Sequence, residues 1–366
     1  MAADDLESYI VEARRTGAVR VRTPEGEVYV VAPRVRAAGP ASPFVGADTL
    51  LQPPLARAAY SDRTAWLMAT LSELAYRPFE KDDAAREELA ATLSDAGLLL
   101  VECFDAPETG TQAFLARRPG AFSVLAFRGT EKDRKDILVD LNARFYETPA
   151  GKAHHGFSTA YAGMHGAVEA ALSRLPRSEP AEQLFITGHS LGGALATTAT
   201  KLLESRFVVG ACYTFGSPRV GTPEWSDAVK TPVYRVVNGA DGVPLVPGGT
   251  VMRWCLTMLP NVPFLTWLEK PIQRFVSSGY VGFQHVGDLR YIHDKAGQPH
   301  LKIGSAAVWG RFRHVVFGKI GGAIVYLRPG GLSSTFKDHG IGLYASMLRR
   351  VAEARNPGDR PGATTG

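Results

Sequence analysis

The sequence predicts an α/β protein with a mainly parallel central sheet and helices on both faces. Three observations carry this expectation. Short apolar runs of strand type alternate with segments of helical spacing between about residues 98 and 240. A composition of 45% hydrophobic and 21% charged residues over 366 positions is that of a globular chain, long enough for one large or two medium domains. In "QLFITGHSLGGALATTATKLLES" (183–205), a serine stands between a strand-type run and an Ala/Leu-rich helical segment.

Taken in order, "GAVRVRTPEGEVYVVAP" (17–33) alternates apolar and polar residues about Pro24-Glu25-Gly26 and predicts a β-hairpin. A Pro/Ala-rich link follows, so residues 1–58 read as a hairpin and linker appended to a main domain at 59–355. That domain opens with helices over Ser61–Tyr76 and Asp82–Ala96, then strands at 98–103, 112–117 and 122–127. A helix at about 157–175 leads to the 183–187 strand and the helix after Ser190. Strands at 208–215 and 232–237 flank a short helix in "PEWSDAVK". "GFQHVGDLRYI" (282–292) has a strand pattern, and "HDKAGQPH" (293–300) reads as the turn of a further hairpin. A closing helix follows His339, and the Pro/Gly-rich residues 356–366 are expected to be disordered.

Composition excludes several classes. Cys103, Cys212 and Cys255 lie far apart with no CxxC, which argues against a disulfide framework and a structural zinc site. The opening "MAADDLESYIVEARR" lacks the pattern of an export signal, and no apolar run reaches spanning length, so a soluble cytoplasmic protein is expected. The net charge is +5, and residues 295–337 hold seven Lys/Arg and no acid. Within them Trp309, Phe312, Val316, Ile320, Ala323 and Leu327 recur at helical spacing, which suits peripheral contact with a membrane or lipid-droplet surface. A core-facing helix with a solvated basic side fits the same pattern. No nucleic-acid motif accompanies the charge.

A serine hydroxyl attacks an acyl carbon only when an imidazole takes its proton and a carboxylate orients that imidazole. Gly188, Gly192 and Gly193 suit the tight turn that presents such a serine, although a plain glycine turn is also compatible with them. For the acid, Asp241 lies just past the 232–237 strand in "VVNGADGVPLVP", whereas Asp227 falls inside a helix and Glu204 at the far end of one. For the base, His339 ends a polar loop before the closing helix, with His285 as its rival; Asp338 beside it reads as a helix cap. Oxyanion donors are expected from the Leu191 N–H and from Thr130 after the 122–127 strand.

"AFRGT" (126–130), "HHGF" (154–157), "ITGHSLGGALA" (186–196), "TFGSPRVG" (214–221), "VVNGADGVPLVP" (236–247), "QHVGDL" (284–289) and "DHGIGLY" (338–344) occur together and in order. The set resembles the class 3 lipase family, the fungal-lipase-like branch of the α/β-hydrolases, over about residues 122–345. The resemblance implies hydrolysis of lipid esters without a metal or organic cofactor. It also implies Ser190 as nucleophile, Asp241 as acid, His339 as base, Thr130 and Leu191 as the oxyanion hole, and structural roles for His155 and His285. The chain departs from the family's secreted fungal members in two places. "EKDRKDILVDL" (131–141) is charged where they carry an apolar lid, and an apolar insert occupies 249–284, where it would roof the pocket, touch a lipid surface or add core. An esterase for small soluble esters, and a lipid-surface protein without catalysis, are the alternative functions.

Overall fold

The computed structural model describes residues 19–22, 28–31, 41–54, 59–130, 144–176, 181–249, 270, 273, 281–311 and 338–356. The charged stretch 131–141, nearly all of the apolar insert, the basic segment beyond Arg311 and the tail lie outside the described residues. Two compact units divide at Pro43 and Phe44. In the first, β1 (Val19–Arg22) and β2 (Val28–Val31) pair antiparallel, as alternation about Pro24-Glu25-Gly26 demands.

The second unit contains an eight-stranded sheet. Its strands are β3 (Leu99–Ala106), β4 (Thr111–Arg118), β5 (Phe122–Phe127), β8 (Gln183–His189), β9 (Val209–Phe215), β10 (Val233–Asn238), β13 (Asp288–Lys295) and β14 (Gln298–Ile303), in spatial order β14-β13-β10-β9-β8-β5-β4-β3. The five inner strands β5, β8, β9, β10 and β13 run parallel. Hairpin partners β4 and β14 pair antiparallel at either side, and β3 pairs antiparallel with β4. Short ribbons β6 (Phe145–Thr148) with β7 (Gly151–His154), and β11 (Gly248–Gly249) with β12 (Val281–Phe283), stand outside it.

The parallel strands are nearly continuous apolar runs because both faces are covered. On β5, Phe122, Val124 and Ala126 enter one core while Leu125 and Phe127 enter the other. The first core is closed by α1 (Asp62–Leu74), α2 (Asp83–Ser94) and the closing helix α6 (Ile341–Arg355), which packs along α1. The second is closed by α3 (His155–Arg174) and α4 (Leu191–Leu203). Side-chain caps set where three of these helices begin: Ser61 accepts from Thr64 N–H, Asp82 from Ala85 N–H, and His154 from Phe157 N–H. Between β9 and β10 lies α5 (Pro223–Asp227). This doubly covered, mainly parallel sheet is the α/β-hydrolase fold.

One local expectation is corrected. The 282–292 run is not one strand: β12 ends at Phe283, and Gly287 turns the chain at φ +76° before β13 begins. A side chain at 287 would meet the Val233 carbonyl at 2.1 Å, so only glycine fits there. In the basic segment, Lys295 ends β13 and Lys302 lies in β14; residues 304–311 are helical, and the remainder lies outside the described residues.

Arg128, just past β5, ties the site-bearing end of the sheet to the turn after α1. It is 6% exposed, donates to the Ala75 carbonyl at 2.6 Å and to the Arg77 carbonyl, and grips both oxygens of Glu80 at 2.9 and 2.7 Å. The Arg128 hydrogen bond holds the Glu80 carboxyl below its ordinary pKa of 4.5. Its contribution to stability is therefore complete above 4.5 and lost as the pH falls through the lower folded value. Arg128→Met should cost about 3 kcal/mol at neutral pH, measured by urea unfolding, and the deficit against wild type should shrink below pH 4.5.

Candidate active site

Ser190 joins β8 to α4 with φ +56° and ψ −127°, a backbone conformation that non-glycine residues seldom adopt. Close packing holds it there. A Cβ at Gly188 would lie 2.1 Å from the Gly192 carbonyl, one at Gly192 would lie 2.5 Å from the Phe127 carbonyl, and one at Gly193 would lie 2.7 Å from Ser217 Cβ. Each glycine of G-H-S-L-G-G thus marks a place where backbone meets backbone or a neighbouring side chain. The Ser190 N–H donates to the Phe215 carbonyl at 2.9 Å, fastening the turn to β9.

Two distant loops converge on that serine. His339 Nε2 lies 2.9 Å from Ser190 Oγ, and His339 Nδ1 lies 2.8 Å from Asp241 Oδ2. All three residues are buried. A carboxylate accepts, so Nδ1 carries the proton and Nε2 is free to accept from the serine hydroxyl. Asp241 sits in the turn past β10. Its Oδ1 accepts from the Val243 N–H at 3.0 Å, and its Oδ2 accepts a second bond from the Tyr344 hydroxyl at 2.6 Å. Burial, followed by the charge of Asp241, raises the Tyr344 pKa well above its ordinary value, so the hydroxyl remains a donor. It also accepts from the Asn238 N–H at 3.0 Å.

The main chain at His339 is fixed just as tightly. His189 Nε2 donates to the His339 carbonyl at 2.6 Å, which leaves Nδ1 of the neutral ring to accept from the Tyr76 hydroxyl at 2.7 Å. Asp338 does not cap α6, whose N-cap is Gly340 without a side-chain bond. Its Oδ2 accepts from the Ala240 N–H at 2.7 Å, and its carbonyl accepts from the Asn238 amide at 3.0 Å. The loop carrying the imidazole is therefore stitched to the loop carrying the acid. Gly216 (φ +58°) completes the packing, because a Cβ there would lie 2.6 Å from Asp241 Oδ2 and 2.9 Å from the His339 ring.

Leu191 opens α4, and the start of that helix presses on the end of β5, next to which Thr130 lies partly exposed. His285 is remote from the serine in chemical role: its Nε2 donates to the Pro244 carbonyl at 2.8 Å, and burial holds its pKa well below the ordinary 6.5. His155 lines a separate cavity of about 320 Å³ with Thr109, Arg144 and Thr159. Asp227 ends α5 and Glu204 follows α4, neither facing the imidazole of His339 by hydrogen bond. Tyr344, His189, Tyr76 and Asn238 were not anticipated as site residues. Three of them, His189, Asn238 and Tyr344, lie inside the quoted motifs, but a side chain that serves only to hold another group in place leaves no charge pattern to read.

Residues 124–251 match the family described as Lipase (class 3). A secreted mono- and diacylglycerol lipase of Fusarium solani is 34% identical over 141 residues, covering 33% of this chain and 42% of that protein. A second, MDL3 of Malassezia globosa, is 34% identical over 140 residues, covering 34% of this chain and 46% of that protein. The chain thus spans less than half the length of these curated relatives. Among solved structures, lipase II of Rhizopus niveus aligns with a TM-score of 0.47 at 22% identity, covering 66% of this chain and 84% of that one. These relatives correct one expectation. They are named as secreted proteins, which overturns the cytoplasmic location inferred from residues 1–15. A stretch without an export pattern does not determine the compartment of the domain that follows.

Tyr344→Phe removes one donor from the Asp241 carboxylate and the acceptor of the buried Asn238 N–H. Stability should fall by about 2 kcal/mol, measured by chemical denaturation, with the hydrophobic packing of the ring retained.

Proposed function

As a member of the class 3 lipase family through residues 124–251, the chain is one that we propose to be a serine carboxylester hydrolase acting on lipid esters. The observation that carries this reading is the continuous relay of Ser190 Oγ, the His339 ring and Asp241 Oδ2, with links of 2.9 and 2.8 Å. Ser190 Oγ attacks the ester carbonyl as His339 Nε2 takes its proton, and Asp241 stabilises the resulting imidazolium. The tetrahedral oxyanion is held by the N–H groups of Leu191 and Thr130. Collapse expels the alcohol, which leaves with the proton from His339, and the acyl group stays on Ser190. A water molecule, deprotonated by His339, then attacks the acyl-enzyme and releases the fatty acid and free serine. Neither a metal nor an organic cofactor enters these steps.

Lipid esters are favoured over small soluble ones by what the relatives are named for, mono- and diacylglycerol hydrolysis, and by the surface beyond β14. There Ile303, Val308 and Trp309 stand 59%, 58% and 68% exposed, a cluster of apolar side chains suited to a lipid surface. Peripheral contact with such a surface, in an extracellular setting like that of the relatives, completes the proposal.

Ser190→Ala should abolish turnover of p-nitrophenyl esters by wild-type measures, and Asp241→Asn should lower kcat on the order of 10⁴-fold by favouring the wrong His339 tautomer. Full activity in the serine variant would overturn the mechanism. Replacing Val308 and Trp309 together by serine should reduce hydrolysis of emulsified long-chain esters several-fold while sparing soluble short-chain esters. Equal loss on both substrates, or none, would count against the lipid-surface role.

A further inference from the structure

Three arginines gather behind the acid loop, and among the described residues none of them is paired with a carboxylate. Arg219 follows β9, Arg235 lies in the middle of β10, and Arg311 ends the helical stretch 304–311. Arg219, Arg311 and His285 converge on the backbone of residues 241–247, and the charges of Arg219 and Arg311 both reach Arg235. Arg219 Nη1 donates to the Leu245 carbonyl at 2.5 Å and the Pro247 carbonyl at 2.7 Å, and Arg311 Nη2 reaches toward the Asp241 carbonyl at 3.4 Å. Gly249 leaves room for this, since a Cβ there would press on the Arg219 guanidinium at 3.3 Å. Arg235 is different: its Nε is sealed from solvent and has no hydrogen-bond acceptor.

The carboxylates whose charge reaches the group are engaged elsewhere. Asp288 acts on Arg235 from a distance but lies 3.5 Å from Arg290, and Asp241 gives its oxygens to His339, Tyr344 and the Val243 N–H. Burial, then mutual repulsion, lowers Arg235 to about 9 and, for Arg219, with Arg311 adding, to about 10. Arg219 and Arg235 therefore keep their charge at neutral pH, and all three residues retain partial exposure. His285 beside them, depressed by burial and by these same arginines, stays neutral and adds no charge. Buried like charges without a partner are costly, and an anion brought among them relieves desolvation and repulsion together.

We propose that Arg219, Arg235 and Arg311 form an anion-binding recess behind residues 241–247 that takes a phosphate group. A tetrahedral oxyanion accepts from several directions and carries close to two charges, which suits three forks arriving from β9, β10 and the 304–311 helix; a planar carboxylate satisfies one fork. Free phosphate and the phosphate of an anionic lipid head group present the same chemistry. Binding there requires no ester hydrolysis, although Arg311 also reaches the Asp241 carbonyl.

The test uses the full chain carrying Ser190→Ala, so that no lipid is consumed. Melting temperature and titration calorimetry are followed in sodium phosphate against sodium chloride of equal ionic strength. Vesicles containing phosphatidate are compared with vesicles made equally anionic by oleate. Phosphate should raise the melting temperature above that in chloride, or phosphatidate vesicles should be preferred over oleate vesicles. A response to both sources marks a site open to the small ion, and a response to vesicles alone marks a head-group site. Arg235→Gln should weaken the interaction on the order of tenfold, and Arg235→Lys should restore part of it. If the folded Ser190→Ala chain shows no preference for either phosphate source, or prefers acetate to phosphate, the proposal is overturned. It is equally overturned if a folded Arg235→Gln variant binds phosphate as tightly as its parent. Because Ser190 is already absent, these outcomes are read separately from any result on turnover.

Discussion

The turn at Ser190 is the constraint on which the rest of the site depends. A residue with a Cβ held at φ +56° stores strain, and only contacts that leave the chain nowhere else to go can keep it there. Those contacts involve α4 pressed onto β5, β9 fastened by the Ser190 N–H, and glycines at 188, 192 and 193 where no further atom fits. The hydroxyl is thereby presented at the carboxyl ends of the parallel strands, where the loops after β10 and before α6 can reach it. The parallel sheet and the strained serine are one design: the sheet supplies the rigidity that the turn requires.

Precision at the imidazole comes from a surrounding set of hydrogen bonds, most of them made by neutral groups. Tyr344 and the Val243 N–H orient the carboxylate, His189 and Tyr76 anchor the carbonyl of His339, and Asp338 laces its own loop to Ala240. Asp338 and Asn238 act as cross-links between two loops that are a hundred residues apart in sequence. Such bonds are worth little singly, yet they fix positions to fractions of an ångström, and that is what proton transfer over 2.9 Å needs.

Much of the fold was legible because its signals are local. Apolar runs bounded by turns marked the inner strands, and the glycine spacing about Ser190 reflected a steric requirement that only that residue type meets. The 282–292 run misled because Gly287 breaks a continuous pattern by backbone conformation, which alternation does not reveal. Asp338 misled for a related reason: an acid before a helix satisfies the capping rule in sequence, but its side chain found a closer donor across the site. Tyr344 and His189 were invisible because their partners lie about a hundred residues or more away in sequence. The compartment was misjudged from residues 1–15, whose lack of an export pattern does not determine where the domain that follows resides.

The docking of α6 along α1 has a temporal consequence. Nearly everything that builds the sheet precedes residue 304, yet the imidazole and the tyrosine that steadies the acid arrive with residues 339 and 344. Whatever the order of folding, Ser190 lacks its proton acceptor until α6 has docked along α1, so the seating of that helix and the completion of the relay are one event.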